Sequence, residues 1–254
     1  MTSKKVAYII PLHKKSDLVF RAMDSIGDNG IVIVSIPESL EKWFNKGGKN
    51  YNSVVITNDK TSYPSLVNAG IKYVKESVPD VDYVSILEYD DVLTPNSSSI
   101  VNKYGSDWES IDILAPLACV VKYNDGDDKP ILVGITNEAA MAPQLAEEFG
   151  VFDFNMMLRT NFIFVNGCYI KPKVFEDYGV FKENFEMFYD YEWTLRMVYN
   201  GVSIKTVPMA THFHALTEDG AFESHRKVSK DIVDKWLGAA RREYFFDEDR
   251  AIKI

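Results

Sequence analysis

Three carboxylates fall within four positions at the end of an apolar run: Glu88, Asp90 and Asp91 follow directly on Tyr83 to Leu87 in Tyr-Val-Ser-Ile-Leu-Glu-Tyr-Asp-Asp-Val-Leu. Like charges this close repel and raise one another's pKa, so such a cluster at a strand's carboxyl end is most at home where a cation neutralises it. Carboxylate oxygens without neighbouring Cys or His suit a hard ion, Mg2+ or Mn2+, and such ions commonly hold a diphosphate. An acidic turn after an edge strand is the plain alternative for an isolated Glu-x-Asp-Asp. A second acidic group opens the segment Phe188 to Gly201, in which Tyr191, Thr194, Leu195 and Val198 share one helical face. Asp190 lies at that helix's start, where it can cap backbone N–H groups or, stabilised there as the anion, serve as a general base. Glu192 and Arg196, four apart in the favourable order, are expected to form an intrahelical ion pair. His212 and His214, one residue apart in a strand, should point to one face.

The elements that must position these groups alternate. Apolar runs Val6 to Ile10, Ile31 to Ile36, Val54 to Thr57 and Tyr83 to Leu87 read as strands. Helical spacing fills the gaps at Ser16 to Ile26, Glu38 to Phe44 and Pro64 to Pro79. Strand and helix in alternation imply right-handed crossovers and a largely parallel sheet, whose ligands bind outside the carboxyl ends of the strands. Glu88 to Asp91 stand at such an end. Further on, residues 111 to 121 predict a strand and Tyr123 to Pro130 a turn. Phe162 to Ile170, with Asn166-Gly167 inside it, predicts a strand pair or bulged strand, and Pro172 to Tyr178 a helix stopped by Gly179. The apolar run Phe149 to Leu158 fits a cleft lining or core equally. Residues 225 to 242 carry six Lys or Arg against two Asp, with Val228, Ile232, Trp236 and Ala240 as an apolar stripe. They predict a helix packed on the sheet with a solvated basic face.

With 254 residues, 46% hydrophobic and 26% charged, the chain can bury a substantial core. A net charge of −9 gives no electrostatic footprint for nucleic acid or an anionic membrane. Cys119 and Cys168 read as buried thiols of a reducing compartment. No run approaches the roughly 18 apolar residues of a membrane span, and Pro11 cuts short the basic amino terminus, so a cytoplasmic protein is expected.

Order and spacing together resemble the family 2 glycosyltransferases with the GT-A fold. Val6-Ala-Tyr-Ile-Ile-Pro is similar to the family's opening strand. Asn68-Ala-Gly-Ile, then Tyr83 through Leu93-Thr-Pro with its Asp-x-Asp metal motif, and Pro172 to Gly201 with its acidic helix, Leu-Arg and closing Gly, follow in family order. The resemblance implies one α/β domain over 1–254 with a mixed, mostly parallel central sheet and flanking helices. It would comprise a nucleotide-sugar half (1–95), an acceptor-binding and catalytic half (96–224), and after them a terminal helix and tail (225–254).

Carried over, Glu88 and Asp90 contact ribose and the diphosphate-bound Mn2+ or Mg2+, with Asp91 beside them, and Asp190 is the base of inverting members. Pro11, Leu12, His13 and Asn68 fall on the donor side. Some GT-A enzymes complete the metal shell with a His, which makes His212 and His214 candidates, although a partly exposed pair near the cleft is as good a reading. Three positions depart from the pattern. Glu88 stands where Asp is usual, Tyr189 where Glu precedes the base, and Ser35-Ile-Pro-Glu where an Asp-Asp-Gly-Ser recognises the nucleobase, a task Asp59 could take over. The implied activity is metal-dependent, inverting transfer of a hexose or pentose from a nucleoside-diphosphate sugar, a UDP-sugar by resemblance, to an acceptor hydroxyl. That hydroxyl could sit on a glycan, a lipid-linked sugar, a protein or a modified nucleobase. A sugar nucleotidyltransferase would need a Gly-rich, Arg-containing loop where Leu12-His13-Lys14-Lys15 stands. An inactive sugar-nucleotide or glycan-binding module is the reading from another class.

Overall fold

β-Branched and apolar runs become strands, and the amphipathic segments between them become crossover helices on both faces of one sheet. The computed structural model describes residues 3–47, 51–123, 129–136, 154–159, 163–185, 187–216, 229–242 and 244. In chain order the first half holds β1 (Val6–Pro11), α1 (Leu18–Ile26), β2 (Ile31–Pro37), α2 (Glu41–Gly47), β3 (Ser53–Asn58), α3 (Tyr63–Ser77) and β4 (Tyr83–Ile86). There follow β5 (Val92–Leu93), α4 (Ser97–Asp107), β6 (Ile113–Tyr123), β7 (Pro130–Ile135), α5 (Phe154–Arg159), β8 (Tyr169–Ile170), α6 (Pro172–Tyr178), α7 (Tyr189–Tyr199), β9 (Ile204–Ala215) and α8 (Lys230–Arg242).

The strands line up as β3-β2-β1-β4-β8-β6-β9-β5, with β7 beside β6. β3, β2, β1 and β4 are mutually parallel, as are β6 and β9, while β8, β5 and β7 pair antiparallel. This is the mixed, mostly parallel α/β sheet expected. Alternation along β1 sorts the core into two layers. Ala7 and Ile9 meet Val67, Ile71 and Val74 of α3 together with α6 and α7, whereas Val6, Tyr8 and Ile10 meet Val19, Ala22 and Met23 of α1 together with α2 and α4. α3 starts cleanly because Ser62 accepts the Ser65 N–H at 3.3 Å and Pro64 fills the first turn. Gly179 ends α6 at φ +84°, the helix stop read from the sequence.

Elsewhere the structure departs from the expectation. Between 163 and 170 only Tyr169 and Ile170 form strand; Asn166-Gly167 is a turn whose Gly167 N–H donates to Ile86 O at 2.7 Å. α8 packs on α7 rather than on the sheet: Arg241 Nε donates to Tyr191 Oη at 2.9 Å, and Trp236 meets Phe185 at 5.4 Å between centroids. The described part of the ambiguous run is core, since Met157 and Leu158 are buried. The predicted turn around 124–128, the stretch 137–153 and Val228 lie outside the described residues.

The Glu192–Arg196 pair forms, with Arg196 Nη2 3.1 Å from Glu192 Oε2, but its setting is not a surface one. Glu192 is 1% exposed, Lys182 Nζ lies 3.1 Å from its other oxygen, and Arg196 also donates to Tyr178 O at 2.6 Å and Val180 O at 2.8 Å. The network staples the segment after α6 onto α7. Removing one partner from a buried ion network leaves uncompensated charge, so Glu192→Ala is expected to cost about 3–5 kcal/mol. Urea unfolding measures it, and a loss of a few tenths, as for an exposed pair, would refute this reading.

Candidate functional site

The acidic end of β4 is folded back by its own backbone, with Asp91 N–H donating to Glu88 O at 3.0 Å. β5 then runs antiparallel to β9 with Val92 opposite Phe213, and one more step of that register sets Asp91 against His214. Asp91 is fully buried and saturated. Its carboxylate accepts from Ala215 N at 2.9 Å and Asn166 Nδ2 at 2.5 Å, and His214 Nδ1 lies 3.1 Å from Oδ2. Asn166 uses its other end to accept the Glu88 N–H at 2.9 Å, so one amide ties the two acids together. Glu88 Oε2 lies 3.8 Å from the same His214 nitrogen, and ligand atoms of Glu88, Asp91 and His214 all fall within 4.8 Å of one another.

The chemistry of this set fits a divalent cation. Metal-bound imidazoles typically donate their second N–H to a carboxylate, which fixes the ring. Asp91 beside His214 Nδ1 stands where such a carboxylate would, and Glu88, Asp91 and His214 each offer a donor atom to the cluster. His212 does not join them. It is fully buried, its ring so close to Gly167 that a Cβ there would stand 2.1 Å from Cε1, and among the described residues its Nε2 has no hydrogen-bond partner. Phe164 nevertheless meets both rings, 6.2 Å from His212 and 4.8 Å from His214, as expected for two side chains on one strand face.

Charge and burial move these groups in different directions. Burial, then the charge of Asp91, push the Glu88 carboxyl up to about 8, against the opposing pull of His214. Burial lowers His214, but Asp91 and Glu88 outweigh it and bring the imidazole up to about 9. Burial drives His212 down to about 4. Glu88 and His214 thus bind more protons folded than unfolded over roughly pH 4.5–8 and 6.5–9, where stability falls as pH rises. His212 acts the other way only below about pH 6.5. The melting temperature of the metal-free protein should therefore decline by several degrees from pH 6.5 to 9, a trend that scanning fluorimetry reads and that Glu88→Gln should flatten. A flat wild-type profile would contradict the cluster's electrostatics.

Asp190 approaches from α7. Phe188 holds the N-cap position in the left-handed region, φ 57°, an uncommon conformation for a bulky residue, and this sets Tyr189 and Asp190 in the first turn. Asp190 therefore stands inside the first turn and not at the N-cap itself. A cleft of about 40 Å3 is lined by Tyr63, Glu88, Phe164, Asn166, Phe181, Tyr189 and Asp190, so the end of β4 and the start of α7 share one opening. Asp90, 6% exposed, is not among the residues lining it.

The remaining candidates are dispersed. Pro11 and Leu12 are buried, with Leu12 N–H donating to Ser35 O at 2.9 Å, and only His13 reaches the surface, edge-on to Tyr89 at 5.4 Å. Asp59 is exposed beyond β3, three strand positions, or about 14 Å, from β4. Asn68 is engaged within the chain: its amide donates to Phe181 O at 2.8 Å and accepts from Phe181 N at 3.1 Å. Asn166 is the residue that sequence reasoning missed. Its Asn-Gly dipeptide was read as part of a strand pair or bulged strand, and nothing in the sequence showed that it turns beside the acids.

This arrangement of sheet and helices is the GT-A glycosyltransferase fold. TarS 1-349 of S. aureus, solved in complex with UDP-GlcNAc, superposes with TM-score 0.67 at 13% identity, covering 95% of this chain and 67% of that one. GalNAc-T7 with UDP, GalNAc and Mn2+ gives 0.57 at 14%, covering 86% and 45%. The mannosyltransferase PcManGT from Pyrobaculum calidifontis, with GDP-Man and Mn2+, gives 0.55 at 13%, covering 93% and 69%. At these identities the likeness establishes the fold, and the chain spans only 44% of the longer TarS structure. No family model matches the sequence. No curated protein matches it either. No helix among the described residues is long and apolar enough to cross a membrane.

Proposed function

We propose that the protein is a metal-dependent, inverting glycosyltransferase of the family 2 type, moving a sugar from a nucleoside-diphosphate sugar, by resemblance a UDP-sugar, to an acceptor hydroxyl. One observation carries the reading: Glu88, tied through Asn166 to Asp91 and His214, opens into the same cleft as Asp190. An acid cluster able to hold a cation thus faces a separate carboxylate able to take a proton. Glu88, Asp90 and His214 are the proposed ligands of Mn2+ or Mg2+, with Asp91 orienting His214. When bound, the ion offsets the charge developing on the leaving diphosphate. Asp190 accepts the acceptor's proton while its hydroxyl oxygen attacks the anomeric carbon from the side opposite the leaving group. The amino end of α7 favours Asp190 as the anion that this needs. His13, exposed beside Tyr89, is the donor-side residue best placed to meet the nucleobase.

Structures of the same fold solved with UDP-GlcNAc, with UDP, GalNAc and Mn2+, and with GDP-Man and Mn2+ support this choice over a nucleotidyltransferase. A thermal-shift screen of nucleoside diphosphates and their sugars, with and without Mn2+, tests it. A ligand at a hundred times its Kd stabilises by about 2.7 kcal/mol, which raises Tm by several degrees. The rise should require nucleotide and metal together. No shift with any nucleotide would sink the proposal.

A further inference from the structure

The cleft shared by Glu88 and Asp190 is walled by rings, and two of them are tyrosines whereas Phe164 and Phe181 are not. Tyr63 opens α3 and Tyr189 opens α7, and they stack with centroids 5.2 Å apart and planes 24° from parallel. Phe181 meets Tyr189 edge-on at 6.3 Å, which braces the pair. Among the described residues neither phenol hydroxyl has a hydrogen-bond partner. The space beside them is about 40 Å3. One water-sized centre needs roughly 10–15 Å3, so the slot admits a hydroxyl and the carbon bearing it, but not a whole ring.

Resting on the transferase reading, we propose that Tyr63 and Tyr189 form the stacking wall of the acceptor subsite, and that the acceptor is a sugar ring whose reacting hydroxyl enters the slot toward Asp190. The electron-rich faces of aromatic rings attract the polarised C–H face of a sugar. The two unengaged phenols and the neighbouring carboxylates then meet the hydroxyls on the ring's rim. Other hydroxyl carriers fit this wall less well. A Ser or Thr side chain has no face to lay on it. A modified nucleobase would bring phosphates toward two carboxylates on a protein of net charge −9. Tyr189 is also where the family pattern places Glu, so the wall is a feature of this chain.

Saturation-transfer NMR tests the assignment, using methyl glycosides of glucose, galactose, mannose and N-acetylglucosamine with Mn2+ and the nucleotide chosen by the thermal screen. At least one glycoside should receive saturation through its ring C–H groups. Its affinity should drop roughly tenfold in Tyr63→Leu or Tyr189→Leu, which keep apolar bulk but lose the ring. Tyr63→Phe and Tyr189→Phe should keep most of the binding and lose discrimination between epimers; unchanged melting temperatures show that each variant folds. Equal binding in the Leu variants would overturn the proposal. So would saturation of a Ser/Thr peptide or a hydroxymethyl-pyrimidine oligonucleotide while every glycoside stays silent. A protein that binds no nucleotide would instead bring down the transferase reading itself.

Discussion

Asp190→Asn should reduce transfer by roughly 10²–10⁴-fold, the span that general-base removal commonly gives, while nucleoside-diphosphate binding persists. The substitution keeps size and shape at the start of α7, so the left-handed Phe188 and the Tyr63–Tyr189 stack have no reason to move. What disappears is the anion. An amide cannot accept the acceptor's proton, and it loses the favourable charge at a helix amino terminus. On the proposed assignment the cation, not Asp190, holds the leaving diphosphate, so calorimetric affinity for nucleotide with Mn2+ should match the wild type. Chromatographic quantification of product separates the outcomes: near-complete transfer in the variant would remove Asp190 from the mechanism. A parallel loss of nucleotide affinity would show that its part lies in binding.

The alternation of strands and helices through residue 93 was legible because β1, β2 and β4 are buried on both faces and so read as uninterrupted apolar runs, and because the partly exposed edge strand β3 keeps the β-branched run Val54-Val55-Ile56. The second half was less so. β8 has two residues, Tyr169 and Ile170, and gains its place from pairing with both β4 and β6 rather than from any pattern of its own. At the site the sequence supplied the acids but not their division of labour. Glu88, Asp90 and Asp91 look alike in one dimension. In three, Asp91 is sealed and saturated while Glu88 opens into the cleft, and the difference arises from Asn166 and Ala215, respectively 75 and 124 positions from Asp91. The two His likewise look equivalent, yet the close approach of Gly167 encloses His212 and leaves His214 to face the acids. Glu192 was read correctly as a partner of Arg196, but its burial came from Lys182 and the chain after α6, which no helical spacing reveals.

Asp91 and Asp90 should separate when each is replaced by Ala. Asp91→Ala removes the acceptor of three groups at once, stranding the Ala215 N–H, the Asn166 amide and the His214 imidazole in a buried setting. Breaking a buried hydrogen-bonded charge pair from one side costs about 3–5 kcal/mol, so unfolding should shift by that much whether or not metal is present. His214 would also lose the group that orients it, and second-sphere losses weaken metal affinity by roughly 10–100-fold. Asp90→Ala touches none of those three bonds. On the proposed ligand set it should abolish the Mn2+-dependent part of nucleotide binding, as calorimetry with and without chelator would read. The opposite pattern, a stable Asp91→Ala with metal binding lost and an Asp90→Ala that binds metal normally, would mean that Asp91 itself is the ligand. In that case the cation would have to displace His214 from the buried carboxylate, and metal affinity would rise with pH as the imidazolium, held up to about 9, gave up its proton.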